Sequence, residues 1–157
     1  NVELIFLKAV FYEKGQKIKD SMAALREVIK RDPKHAAALN YLGYMYAERG
    51  ENLQESEALI RRALDEKPDN GYYLDSLGWV FYQQKRYKEA VAILERALQL
   101  TNNDATIAEH LGDAYYAAGD EQKALIAYKI AVEASKEPKD LERGKAKYEM
   151  AKSAESS

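Results

Sequence analysis

Leu39-Asn40-Tyr41-Leu42-Gly43-Tyr44-Met45-Tyr46 returns as Leu74-Asp75-Ser76-Leu77-Gly78-Trp79-Val80-Phe81, and again as Ala108-Glu109-His110-Leu111-Gly112-Asp113-Ala114-Tyr115. In each stretch a Leu-Gly pair follows an apolar residue by three positions and precedes an aromatic by four, counted from the leucine. Those offsets put the recurring side chains on one helix face. Leu4, Leu7 and Phe11 continue the pattern upstream, and Leu7, Leu42, Leu77 and Leu111 stand 35, 35 and 34 residues apart. Several positions returning together at such a period mark a repeat array.

A second helix follows in every unit. It enters on Ser21, Ser56, Ala90 or Ala124, continues with Leu25, Ile60, Leu94 or Tyr128, then Val28, Ala63, Ala97 or Ala131. Glycine inside a helix costs about 1 kcal/mol relative to alanine. Its return at Gly43, Gly78 and Gly112 is therefore read as close approach between paired helices. Repeat one carries Lys8 at that place, which predicts a looser pair, and repeats one and two carry one extra residue between their helices. Asp32-Pro33, Lys67-Pro68, Thr101-Asn102-Asn103 and Glu137-Pro138 are turn signals between units. Residues 139–154 read as one amphipathic helix, with Leu141, Tyr148 and Ala151 on one side. Such a helix covers the end of a stacked array.

The large residue, Leu-Gly, aromatic, alanine and proline at this period resemble the tetratricopeptide repeat. That resemblance implies an all-α fold: a right-handed superhelical α-solenoid of antiparallel helical hairpins. Its repeats are 1–34, 35–69, 70–103 and 104–138, and 139–157 forms a C-terminal capping helix and frayed tail. The Asp75–Tyr82 and His110–Tyr115 blocks are similar to those of bacterial members of the family, some of them exported lipoprotein adaptors. This implies a bacterial periplasmic or outer-membrane location, with the cytoplasm as the alternative. The chain begins at Asn1 in residues that already read as helix and lacks a signal-peptide pattern, so a mature or excised fragment is expected.

Composition narrows the function. A net charge of −2 gives no basic footprint for nucleic acid, and no apolar run is long enough to span a bilayer. With no cysteine, thiolate chemistry and sulfur-ligated zinc are excluded. No phosphate loop, dinucleotide fingerprint or Ser-His-Asp set occurs. His35 and His110 have no second ligand at metal spacing, so a non-enzymatic protein without metal or cofactor is expected.

The resemblance places the first helices along a concave groove. Beside the core stripe, the groove positions are Val2, Ile5, Ala9 and Tyr12 in repeat one, with Asn40, Tyr41 and Tyr44 in repeat two. Repeat three supplies Tyr72, Asp75, Ser76, Trp79 and Tyr82, and repeat four supplies Glu109, His110, Asp113 and Tyr116. Aromatic side chains with polar tips give large contact area at low entropic cost. Tyr44, Tyr72, Trp79 and Tyr82 would supply apolar contact, and Asp75, Glu109 and Asp113 would select positive charge. The carboxylate-gripping grooves of some co-chaperones in the family need cations here, so that role is set aside. The reading is a scaffold or adaptor binding a basic or neutral, partly apolar segment of another protein. The alternative is a self-assembly module that oligomerises through its exposed N-terminal helix and groove.

Overall fold

The computed structural model describes residues 1–157 as nine helices and no strand. In order they are α1 (Val2–Lys14), α2 (Ile18–Arg31), α3 (Ala36–Arg49), α4 (Leu53–Glu66), α5 (Gly71–Gln83), α6 (Tyr87–Leu100), α7 (Ala105–Ala117), α8 (Glu121–Ala134) and α9 (Pro138–Glu155). Polar side chains begin several of them. Asn1, Asn70, Asp104 and Asp120 each accept backbone N–H bonds at a helix start, and His35 does so through Nδ1 from Ala38 at 3.1 Å. Pro138 opens α9, where its missing N–H removes nothing.

The helices fall into two units, Asn1–Pro68 and Asp69–Ser157. In the first, α1 pairs with α2, α3 pairs with α4, and α3 packs on α2. In the second, α5 pairs with α6 and α7 with α8. There α7 also touches α5 and α6, and α9 lies on α8 and reaches α7.

The glycines mark the closest approach within three hairpins. A β-carbon at Gly43 would stand 2.6 Å from Ile60 Cγ1, at Gly78 2.5 Å from Leu94 Cγ, and at Gly112 2.4 Å from Tyr128 Cδ1. Nothing larger than hydrogen fits while Ile60, Leu94 and Tyr128 fill the opposite wall. Ser56 Oγ, fully buried, donates to the Gly43 carbonyl at 2.5 Å and fastens the two helices of repeat two.

Repeat one follows the same rule one residue out of the expected register. Ser21 Oγ donates to the Ala9 carbonyl at 2.7 Å, the bond that Ser56 makes to Gly43. The Lys17 N–H bonds Tyr12 O as the Glu51 N–H bonds Tyr46 O. Ala9, fully buried, is thus the counterpart of Gly43, and Tyr12 that of Tyr46. This corrects three expectations. Lys8 does not stand in the glycine place, Ala9 lies inside the hairpin and not on a groove, and Leu4, Leu7 and Phe11 are not core. Those three are 59%, 61% and 78% exposed. The extra residue between helices belongs to repeat two alone: Asn52, at φ +46, is inserted after the left-handed Gly50.

Candidate functional site

Within Asp69–Ser157, α5 and α7 bring together residues 35 apart in sequence. His110 Nδ1 lies 2.7 Å from Asp75 Oδ1, and both residues are buried. The His110 ring stacks on Trp79 at 4.2 Å between centroids, and Trp79 stacks on Tyr82 at 4.6 Å with planes 8° apart. Burial alone would lower the His110 pKa. The charge and hydrogen bond of Asp75, helped by Asp113 and Glu109, outweigh it and hold the imidazole above its ordinary value. The Tyr82 hydroxyl is pushed up by burial and by the nearby Asp113.

The other two acids are engaged by the last helices. Arg143 Nε donates to Glu109 at 2.8 and 3.0 Å, and its Nη2 to Asp140 at 3.0 Å. Lys147 Nζ lies 2.9 Å from Asp113 Oδ2 and 3.3 Å from Glu109 Oε2. Asp113 Oδ1 accepts from the buried Tyr128 hydroxyl at 2.7 Å. Hydrogen bonding to Glu109 raises the Arg143 pKa, and burial with the Asp113 charge raises that of Tyr128. The expectation that Asp75, Glu109 and Asp113 face a partner's positive charge is corrected. Each is already paired with a cationic or hydrogen-bonding group of its own unit.

Ser76 turns back to the Tyr72 carbonyl at 3.2 Å, and Tyr116 packs with Tyr148 on the Ala124–Tyr128–Ala151 cluster. Tyr72 is 59% exposed, and Trp79 and Tyr82 are half-buried, so these three carry the aromatic surface of the stripe.

In Asn1–Pro68 the stripe residues lie on α3. Tyr41 donates to Glu13 Oε2 at 3.1 Å and meets Phe6 edge-on at 6.2 Å. Burial, with the Glu13 charge and hydrogen bond, pushes its hydroxyl up to about 12. Phe6 also lies 5.0 Å from the His35 ring, whose Nε2 is 3.1 Å from Glu3. Tyr44 is half-buried, and Asn40 Oδ1 is buried without a hydrogen-bond partner. Tyr41 is thereby a packing residue, and Asn40 and Tyr44 remain candidates for contact.

Arg143, Lys147 and Tyr128 are the site residues that sequence reasoning missed. The signal was present: Arg143 and Lys147 lie 34 residues beyond Glu109 and Asp113, the same period as the repeats. No group of three or more His, Cys, Asp or Glu side chains is arranged to hold a metal ion. No helix is long and apolar enough to cross a membrane.

Comparison with known proteins agrees with this geometry. A family model described as tetratricopeptide repeat matches residues 10–71, and one described as TPR repeat matches residues 78–119. No curated protein matches the chain. Among solved structures, TTC0263, a thermophilic TPR protein of Thermus thermophilus, is 20% identical, with a TM-score of 0.79 over 96% of this chain and 81% of that one. MamA is 19% identical, with a TM-score of 0.76 over 94% and 84% of the two chains. PilF of Pseudomonas aeruginosa is 17% identical, with a TM-score of 0.76 over 96% and 73%. At these identities the likeness is one of fold.

Proposed function

Because this chain belongs to the tetratricopeptide-repeat family, whose fold serves protein–protein interaction, we propose that it is a scaffold that takes an extended segment of another protein along the first helices of Asp69–Ser157. The preferred segment is neutral and partly apolar. Its side chains pack on Tyr72, Trp79 and Tyr82 of α5.

The observation that carries this reading is the Asp75–His110–Trp79–Tyr82 stack. Its charges are satisfied internally, so what it offers a partner is a rigid aromatic edge. Rigid aromatics lose little entropy on contact and are enriched among residues that dominate binding energy. The paired carboxylates favour neutral over basic segments, since a partner's cation would compete with Arg143, Lys147 and His110.

The chain's single tryptophan is Trp79, which makes the stripe its own reporter. A phage-displayed library of random peptides is panned against the immobilised chain, and enriched peptides are titrated while Trp79 fluorescence is followed. Dissociation constants on the order of micromolar are expected. Tyr72→Ala and Tyr82→Ala should each weaken binding by roughly tenfold, the loss typical of an anchor residue. Peptides that bind both variants with wild-type affinity would dismiss the aromatic stripe as the site.

A further inference from the structure

Leu4, Leu7 and Phe11 form an unpartnered apolar stripe on α1, at spacings of three and four that keep them on one side. A patch of large exposed side chains calls for an occupant, and the repeat register identifies one. Arg143 and Lys147 contact Glu109 and Asp113 across 34 residues, so α9 stands one repeat beyond α7, as a first helix. Carrying the register from α1 through Ala9 and Gly43 aligns Leu4, Leu7 and Phe11 with Leu141, Gly144 and Tyr148 of α9. These α9 residues lie on the side that covers α8. A β-carbon at Gly144 would meet Val132 at 3.3 Å, and Tyr148 packs on the cluster that contains Tyr128.

We propose that the exposed stripe of α1 docks on α8 of a second copy of this chain, at the surface that α9 otherwise covers. In this arrangement α9 is the intramolecular competitor that holds back assembly. The contact is heterologous, because α1 of one copy meets α8 of another. In an undisturbed chain α9 prevails for three reasons. It is tethered beside α8 at an effective concentration of roughly millimolar, its glycine sits closer to Val132 than Leu7 can, and its Arg143 and Lys147 pair with Glu109 and Asp113. The inference is independent of the aromatic stripe, since none of Tyr72, Trp79 or Tyr82 takes part.

The test separates the two ends. Arg143→Glu/Lys147→Glu sets like charges against Glu109 and Asp113 and lifts α9. Combined with Phe11→Asp, it leaves a chain that can only accept. The wild-type chain, with α9 in place, can only donate. Sedimentation velocity of the two mixed at tens of micromolar should show a discrete one-to-one complex, and Arg143→Glu/Lys147→Glu alone should form oligomers that grow with concentration. The donor with Phe11→Asp is the control. Because Phe11 is 78% exposed, that change leaves the fold intact. If Arg143→Glu/Lys147→Glu loses its helical circular dichroism, Tyr148→Glu replaces it as the way to release α9. No complex from a folded acceptor, or an equal complex with the Phe11→Asp donor, overturns the proposal.

Discussion

Replacing Gly112 by alanine should destabilise the protein, although alanine is the better helix former. Propensity alone favours the change by about 1 kcal/mol. Against it, the new methyl would stand 2.4 Å from both Cδ1 and Cε1 of Tyr128. That is roughly 1.2 Å inside the usual carbon–carbon separation. The ring has little freedom to retreat, because Tyr128 is 1% exposed and its hydroxyl is held by Asp113 at 2.7 Å. Overpacking of a tight interior costs about 1–3 kcal/mol, and a tethered ring places this site at the upper end. The net is a loss of about 2 kcal/mol, which lowers the Tm of a chain this long by about 4–8 °C. Far-ultraviolet circular dichroism melts of wild type and variant measure it. An unchanged or raised Tm would refute close hairpin approach as the reason for the repeated glycine.

Other substitutions test separate parts of the account. Ala9→Leu should cost about 1–3 kcal/mol and Lys8→Ala less than about 0.5, because Ala9 is fully buried and Lys8 exposed; denaturant unfolding would give the reverse order if Lys8 held the glycine place. The His110 pKa is raised on folding, so its contribution is complete below the unfolded value near 6.5 and is lost as pH rises through the higher folded value. His110→Asn should therefore flatten the decline in stability above about pH 6.5, and thermal melts across that window read the difference. Tyr128→Phe leaves Asp113 one donor short and should cost about 1 kcal/mol by denaturant unfolding. Arg143→Glu leaves Glu109 facing a like charge and should speed amide hydrogen exchange in α9 by roughly tenfold or more while α5 and α6 keep their protection.

The hairpins were legible because one small residue per hairpin has to face one large residue, and that demand prints Leu-Gly at a fixed spacing. Repeat one shows where this reading fails. Leu4, Leu7 and Phe11 imitate the core pattern, but the Ser21–Ala9 bond sets the register one residue over and turns those side chains outward. A sequence pattern records spacing within a helix and not the rotation of that helix about its axis. The aromatic stripe was equally readable at Trp79 and Tyr82. The state of its charges was not, because the cations that pair with Glu109 and Asp113 come from a helix read only as a cover.

Amide chemical-shift mapping is the most direct measurement of the scaffold reading. A library-enriched peptide is added to isotope-labelled chain, and the shifted amides are assigned to helices. Shifts centred on α5 around Tyr72, Trp79 and Tyr82 are the expected result. Shifts confined to the second helices α4, α6 and α8 would contradict it.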